Sequence, residues 1–491
     1  MAGIAGVISS TDQQLVTRML EKISHRGTSK PAIWKNNYSV LGAVKLSSIN
    51  EHPGPKQNRN GIQAIVMDGS LDNHQIINNV SESNSVSKQS DPECMLNALD
   101  AHGPKIFGMA KGRYALAVAD EDRFVLARDR LGIQPLYFGF NNGILCFASE
   151  IKGLIGIVEE IHEFPPGHFM LSADGIYPYK AYTPEPIKLE KPQDSSDKLV
   201  NRLGFAVRNA LSDGADVGVW LSGGVDSSVI AAVARPFVNR IHTFSAGVDG
   251  SPDLEYARMV AKHIGSEHHE RIYGLDEMLN VLEKTIYHLE SFDAPLVNSA
   301  VSNYLVSELT ADHVPLALSG EGADELFAGY AYQKSYTNQI QLTLSVQNTI
   351  SELHNTALQR VDRSASAHSI GVEMPFLESD VVRLALAIPS RWKIRGKEKI
   401  DKWPLREGFR KILPKDVIWR EKSKFWEGSG TGAALTKYAE SQITDNEFSK
   451  DRRLENGADL RSKEELLYYR IFQTFFKDSI PLAHIGRTQY I

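Results

Sequence analysis

Cysteines and long apolar runs are scarce in this sequence. Its 491 residues contain two cysteines, Cys94 and Cys146. Two are too few for a disulfide framework in so long a chain, which indicates a reducing compartment, and we expect both to pack as small apolar residues. No apolar stretch approaches the roughly 20 residues of a membrane helix, and the first residues lack the basic and apolar parts of a signal peptide. We therefore expect a soluble cytoplasmic protein with no membrane partner.

Long basic runs are absent as well. The net charge is −6, which argues against nucleic acid as a partner. Hydrophobic residues at 42% and charged residues at 23% are ordinary globular values. The chain is too long for one hydrophobic core, so at least two domains are expected. Proline, charge and serine dominate residues 184–196, which predicts a linker between domains at 1–183 and 197–491.

The two predicted domains differ in their patterning. The first consists of short β-rich runs, with Asn141-Asn142-Gly143 as a hairpin turn and helices over 12–23 and 91–102, the second capped by Asp91. The polar segment Asn78–Ser90 is expected to be a loop. In the second, a helix over 197–211 precedes alternating strands and helices, as in a parallel α/β sheet.

The most informative stretch is Leu221–Ser228, with the sequence Leu-Ser-Gly-Gly-Val-Asp-Ser-Ser. An apolar strand precedes it and an apolar helix follows. A Ser-Gly-Gly turn there exposes backbone N–H groups at the positive end of the helix dipole, which suits a pyrophosphate. Many glycine turns only allow close packing. This one lacks the spacing of dinucleotide folds and of P-loops, and it resembles the turn of the PP-loop ATP pyrophosphatases.

A second loop, Leu318–Tyr330, also follows an apolar run and offers a serine, glycines and the acids Glu321, Asp324 and Glu325. In this order and spacing, the two loops resemble the synthetase domain of the asparagine synthetase family. The resemblance implies a two-step reaction: a substrate carboxylate attacks ATP and releases pyrophosphate, and then ammonia or an amine displaces AMP.

The resemblance also assigns roles to individual residues. Asp226 and Asp324 would bind Mg²⁺, whose preferred ligands are carboxylate and phosphate oxygens, although an aspartate at a helix start is more often a cap. Lys422 would be the catalytic lysine, with Lys424 as its rival. Glu321 would accept a proton from the attacking nitrogen, or serve only as a structural acid. The residues expected at ATP are Leu221, Ser222, Gly223, Gly224, Asp226, Ser227, Ser228, Ala246, Ser319 and Gly320.

The N-terminal domain resembles the N-terminal nucleophile glutaminases, beginning with Met1-Ala2-Gly3-Ile4-Ala5-Gly6. The resemblance implies an αββα sandwich of antiparallel sheets. It also implies a cysteine nucleophile where this chain has Ala2, and a methyl group cannot attack an amide. Lys45 replaces an arginine that grips the glutamine carboxylate.

In the same pocket, Asp68 and Ser70 belong to a turn whose sequence in the family is Asn-Gly-Glu. Aspartate in place of asparagine removes a hydrogen-bond donor that the oxyanion hole needs. Asp91 matches the family. Several positions of the glutaminase pocket differ from the family, which favours a natural loss of the site over a single engineered substitution. We therefore predict no glutaminase activity.

The acid and the nitrogen donor stay open. Aspartate, giving asparagine, is one candidate acid. However, Gly371–Glu378 and Ser291–Ser299 lack arginines that family members carry, and an α-carboxylate needs a cationic partner. A β-lactam-synthetase-like or other biosynthetic amide ligase is the second reading, and a non-catalytic nucleotide-binding regulator the third. A homo-oligomer and a separate supplier of ammonia or amine are also left open.

Overall fold

The computed structural model describes residues 2–46, 54–58, 61–80, 89–171, 175–179, 181–211, 216–421, 425–454, 458–476 and 485–488. These residues divide into two compact units, one over 2–182 with Phe476 and the other over 183–475 with 485–488. Within those ranges, no helix is both long enough and apolar enough to cross a bilayer.

The first unit contains two antiparallel sheets. In its described residues one sheet has the order β10-β8-β9-β1-β3-β2 and the other β12-β11-β7-β6-β5-β4. The strands are β1 (Ala2–Ile8), β2 (Ala32–Lys35), β3 (Ser39–Lys45), β4 (Lys56–Gln57), β5 (Ala64–Leu71), β6 (Gly112–Ala119), β7 (Phe124–Arg128), β8 (Tyr137–Asn141), β9 (Ile144–Ala148), β10 (His162–Glu163), β11 (His168–Leu171) and β12 (Gly175–Pro178).

Helices cover the outer faces of both sheets. They are α1 (Gln13–Lys22), α2 (His74–Val80), α3 (Asp91–His102) and α4 (Ile106–Met109). Ile4, Val66 and Phe147 belong to the apolar core shared by the two sheets, whereas Met67 packs with Leu96 of α3 on the other face of its sheet. Alternate residues of a strand point to opposite faces, so Val66 and Met67 serve different cores. The αββα architecture expected from the resemblance is confirmed.

The local predictions for this unit are confirmed in part. The hairpin turn at 141–143 joins β8 to β9, with Asn142 and Gly143 at positive φ, as a tight hairpin requires. The helix at 91–102 forms, but Asp91 is its first residue and not its cap. Ser90 is the cap, and its backbone N–H donates to the Glu93 carboxylate at 2.8 Å. The predicted loop 78–90 lies largely outside the described residues, and its first three residues end α2.

The second unit is built on a parallel sheet of order β15-β14-β13-β16-β17. Its strands are β13 (Val217–Trp220), β14 (His242–Gly247), β15 (Glu267–Ile272), β16 (Leu316–Leu318) and β17 (Gly371–Glu373). Buried strands of this kind read as apolar runs, which is why β13 and β16 were visible in the sequence. A parallel sheet flanked by helices is confirmed.

The first helix of this unit begins earlier than expected. The first starts at Pro192, because proline suits the first helical turn, so the C-terminal part of the predicted linker 184–196 is helical. The helices are α5 (Pro192–Ala210), α6 (Val225–Ala234), α7 (Pro252–Ile264), α8 (Leu275–Leu289), α9 (Ala294–Ala311), α10 (Ala323–Phe327), α11 (Gln339–Ser351), α12 (Ala357–Ser366), α13 (Ser379–Ala387), α14 (Ser390–Lys393), α15 (Trp403–Phe409), α16 (Lys415–Ile418), α17 (Phe425–Gly428), α18 (Thr431–Gln442), α19 (Asp445–Asp451) and α20 (Lys463–Phe476).

The strand order creates a switch point. From β13 the chain passes to β14 and β15 on one side, and β16 and β17 lie on the other. The loops after β13 and β16 therefore leave neighbouring strands in opposite directions, which opens a crevice at the carboxyl edge of the sheet. Both glycine-rich loops predicted from the sequence begin at this edge.

Candidate active site

The two glycine-rich loops touch one another. A Cβ added to Gly320 would lie 2.7 Å from the backbone nitrogen of Ser227, so only glycine allows this approach. Gly223 has a φ of +73°, and a Cβ there would lie 2.6 Å from the backbone nitrogen of Ala257. The glycines thus serve close packing of backbone segments as well as a turn before α6.

A cavity of about 320 Å³ opens beside the loops. Of the residues expected at ATP, its wall includes Leu221, Ser222, Gly224, Asp226, Ser227, Ala246, Ser319 and Gly320. Gly223 and Ser228 are not part of this wall. Ser228 is fully buried, and its hydroxyl donates to the Gly224 carbonyl at 2.7 Å within the first turn of α6. Ser228 therefore stabilises the turn from behind instead of facing the cavity.

A lysine with no motif of its own in the sequence, Lys402, lies at the centre of the site. The Lys402 ammonium is 2.5 Å from Asp226 Oδ2 and 2.6 Å from Asp324 Oδ1. Burial alone would lower the pKa of Lys402, but the two carboxylates outweigh burial and raise it above its ordinary value. The two predicted metal ligands therefore converge on one positive charge.

The backbone around this ion pair is constrained. Lys402 has a φ of +50°, a left-handed conformation that costs free energy in a non-glycine residue. A Cβ on Gly329 would lie 2.0 Å from Asp324 Oδ1 and 2.2 Å from Lys402 Cε. Strain at Lys402 and the absence of a side chain at residue 329 both serve to bring the ammonium between the two aspartates.

Glu321, the expected proton acceptor, lines the cavity and is ion-paired. Its Oε2 accepts from Arg360 Nη2 at 2.7 Å. The ion pair with Arg360 fixes the Glu321 carboxylate in the second loop, on the cavity wall. Lys422 and its rival Lys424 lie outside the described residues, so their predicted role stays a prediction.

Glu325 is a second unusual acid in the same loop. Burial first, and then the neighbouring charges of Glu321 and Asp324, raise the pKa of Glu325 to about 7. Its Oε1 accepts a hydrogen bond from the Tyr330 hydroxyl. Glu325 lies within the short helix α10, and its buried environment favours the neutral form of the carboxyl group.

In the first unit, Ala2 occupies the position of the family nucleophile and is surrounded by buried charged side chains. The Ala2 nitrogen donates to Asp68 Oδ1 at 2.6 Å. Arg26, which is fully buried, binds Asp68 Oδ2 at 3.1 Å and Glu150 Oε1 at 2.8 Å. Its Nε also donates to the Ala2 carbonyl at 2.9 Å. Asp68 accepts hydrogen bonds here, where an oxyanion site needs a donor.

The other predicted pocket residues make structural contacts, and Lys45 lies beside Ala2 and near Asp68. Lys45 is opposite Ala2 in the β1–β3 ladder, and burial lowers the pKa of its amine, partly offset by Asp68. Ser70 Oγ is 3.5 Å from Arg113 Nε, a marginal contact. Asp91 accepts from the backbone of Leu71 at 3.0 Å.

Asp91 also takes part in an arrangement that has the order of a nucleophilic triad. His74 Nδ1 is 2.5 Å from Asp91 Oδ1, and His74 Nε2 is 3.4 Å from Cys94 Sγ. Burial, followed by the charges of Asp91 and Glu93, raises the pKa of Cys94 to about 12. A thiol needs a lowered pKa to act as a nucleophile, so this cysteine is a core residue, as the sequence predicted.

Comparisons with known proteins cover both units. Residues 198–348 and 337–482 match the family model described as asparagine synthase, and residues 1–163 match the glutamine amidotransferase domain. The chain is 31% identical to asparagine synthetase [glutamine-hydrolyzing] 2 of Arabidopsis thaliana, over 99% of this chain and 89% of the relative. It is also 31% identical to asparagine synthetase B [glutamine-hydrolyzing] of Escherichia coli K12, over 92% and 86%.

Among solved structures, the chain is similar to a glutamine phosphoribosylpyrophosphate amidotransferase from B. subtilis, with a TM-score of 0.32 and 17% identity over 55% of this chain and 65% of that one. It is also similar to an NMN synthetase from Francisella tularensis, with a TM-score of 0.28 and 14% identity over 61% and 98%. The near full-length sequence matches are decisive: this chain belongs to the asparagine synthetase family of ATP-dependent amide ligases.

Proposed function

We propose that the second unit adenylates a carboxylic acid with ATP and Mg²⁺, and that the nitrogen comes from ammonia or an amine because the first unit hydrolyses no glutamine. The observation that carries this proposal is the contrast between the two units. One gathers Asp226, Asp324 and Lys402 beside two glycine-rich loops, whereas the other has a methyl group at Ala2, against buried Asp68.

The donor set supports binding of a nucleotide and a hard cation. Asp226 and Asp324 already hold one positive charge between them, and carboxylates are ligands that Mg²⁺ accepts together with phosphate oxygens. These two residues would hold the ion, which offsets the charge of the triphosphate. The cavity-lining residues of the first loop, Ser222 and Gly224, would face the phosphates near the N-terminus of α6.

Lys402 extends this proposal. The two carboxylates hold its ammonium beside the glycine-rich loops, where it would stabilise the negative charge that develops on the departing pyrophosphate. Glu321, fixed by Arg360, would accept the proton released when nitrogen attacks the acyl-adenylate. Lys422 is retained as the proposed catalytic lysine on the strength of the resemblance.

The acid is proposed as a class, with aspartate as the first compound to test. Each of the arginines on the described cavity wall has a carboxylate partner: Arg360 with Glu321 at 2.7 Å, Arg406 with Asp401 at 3.0 Å, Arg420 with Asp253 at 2.5 Å and Arg487 with Glu465 at 2.9 Å. An α-carboxylate would have to compete for one of them. This pairing favours the second candidate, an amide ligase for a different acid, including one that closes a β-lactam.

The test is carboxylate-dependent exchange of labelled pyrophosphate into ATP by the full-length chain, screened over aspartate and other small acids. Exchange with one acid, lost in Asp226→Asn and retained in the exposed control Asp445→Asn, supports adenylation. Mass analysis of the amide then identifies the nitrogen donor. If no acid stimulates exchange while ATP still binds, the proposal is wrong and the chain is better explained as a non-catalytic nucleotide-binding regulator.

A further inference from the structure

A cluster of imidazoles lies near the amino ends of β14 and β15, outside the proposed active site. His242 is the first residue of β14 and Glu267 the first residue of β15, and the parallel register pairs them directly. His269 follows two residues after Glu267, so both side chains lie on the same face of the sheet. The active-site loops follow the carboxyl ends of the strands, so the cluster is at the opposite edge of the sheet. Phe244 separates it from the cavity: this residue lines the cavity wall, and its ring centroid is 5.0 Å from that of His269.

The three side chains present their ligand atoms to one point. His242 Nδ1 is 3.0 Å from His269 Nε2, and His269 Nε2 is 3.7 Å from Glu267 Oε1. All three ligand atoms lie within 4.8 Å of one another. Two nitrogens bound to the same tetrahedral zinc ion are about 3.3 Å apart, given Zn–N distances of about 2.0–2.1 Å.

Neighbouring groups hold these ligands in position. Arg240 Nε donates to Glu267 Oε2 at 2.7 Å, which leaves Oε1 facing the imidazoles. His313 stacks on His269 with ring centroids 3.9 Å apart.

We propose that His242, His269 and Glu267 form a binding site for a divalent transition metal, with Zn²⁺ as the best match, that clamps the amino ends of β14 and β15. Two imidazoles and one carboxylate are an established donor set for zinc, which takes water as its fourth ligand. Mg²⁺ prefers oxygen ligands and is not expected to bind here. The site is therefore distinct in its chemistry from the pair Asp226 and Asp324.

Titration calorimetry with Zn²⁺ on the chelator-treated full-length chain tests this proposal. We expect one site per chain, insensitive to millimolar Mg²⁺, and a rise in the thermal unfolding midpoint on zinc addition. Glu267→Gln and His269→Gln should each weaken binding roughly tenfold or more and abolish most of the thermal shift. Glu267 is exposed, so its variant tests the site with little effect on the core.

The matched control is His354→Gln, a half-buried histidine of the same unit outside the cluster, which should bind zinc like the unsubstituted chain. The proposal is overturned if the chain binds no zinc, or if Glu267→Gln and His269→Gln, shown to be folded by circular dichroism, keep the original affinity.

Discussion

The ammonium nitrogen of Lys402 lies 2.5 Å from Asp226 Oδ2, although 176 residues separate the two in the chain. The fold alone brings them together, through α6 on one side and the residue that precedes α15 on the other. Because Asp324 shares the same ammonium, removal of Lys402 leaves two adjacent carboxylates without their shared counter-charge.

We therefore predict that Lys402→Met destabilises the chain by about 3 kcal/mol and lowers pyrophosphate exchange by at least about 100-fold. The control is Lys399→Met, since Lys399 is an exposed lysine whose ammonium contacts only a backbone carbonyl among the hydrogen bonds described for it. Denaturant unfolding and exchange rates at saturating ATP measure the two effects. Full exchange activity in Lys402→Met would remove this lysine from the proposed site.

Gly329 is predicted to be irreplaceable. A methyl group at this residue would lie within 2.2 Å of both Asp324 Oδ1 and Lys402 Cε, so the missing side chain leaves room for the ion pair. Gly329→Ala should displace the pair and sharply reduce exchange. Gly204→Ala is the matched control, because a Cβ there meets nothing within 4 Å and alanine favours a helix interior by roughly 0.5–1 kcal/mol. Equal activity in the two variants would contradict the close approach.

A pH dependence of stability follows from Glu325. Its pKa in the folded chain is about 7, against 4.5 ordinarily, so the folded state binds more protons between these values. The stability that the protonated Glu325 carboxyl contributes to the folded chain is fully present below pH 4.5 and is lost as the pH rises through 7. Glu325→Gln should therefore be more stable than the unsubstituted chain near pH 8, by about 3 kcal/mol, and show little difference near pH 4.5. Denaturant unfolding at both pH values measures the difference in unfolding free energy between the two chains. The same difference at pH 4.5 and pH 8 would show that Glu325 does not have a raised pKa.

Both cysteines are predicted to be unreactive in the folded chain. Burial raises the pKa of Cys146 to about 11, and burial with two nearby acids raises that of Cys94 to about 12. Iodoacetamide at pH 8 should label neither thiol until denaturant is added, since the thiolate is the reactive form. Rapid labelling of Cys94 in the native chain would contradict this prediction and would indicate that the contact with His74 activates the thiol.

The N-terminal unit should not regain glutaminase activity through one substitution. Ala2→Cys supplies a thiol, but Asp68 still accepts where a donor is needed, and Lys45 still replaces a bidentate arginine. We expect no glutamate release from Ala2→Cys alone, measured by coupled detection of glutamate. The combination with Asp68→Asn and Lys45→Arg is the informative comparison, and turnover by the single variant would show that the pocket retains its recognition.

The parts of this fold that were visible in the sequence are those with local signals. Glycine turns after apolar runs located the loops at Ser222 and Ser319, and Asn142-Gly143 located a hairpin. Lys402 has no such signal, because its role depends on a contact across 176 residues and on a left-handed backbone that lysine rarely adopts. The cluster at His242 and His269 depends on the register of β14 with β15, which single-sequence patterns do not determine.

Boundary errors had local causes as well. Proline and serine near residue 192 suggested a linker, yet proline is favoured in a first helical turn, and the helix α5 begins there. Asp91 has the chemistry of a cap, but Ser90 precedes it with Glu93 three residues on, which is a capping box. Asp91 is thereby left to bind Leu71 and His74.

The central claim is that the second unit forms the amide and the first unit supplies no nitrogen. The most direct measurement is product formation by the full-length chain with ATP, Mg²⁺ and its acid, comparing ammonium with glutamine as donor. The account predicts AMP and amide with ammonium or an amine, and no glutamate from glutamine. Glutamate released in step with AMP when glutamine is the only donor would contradict it.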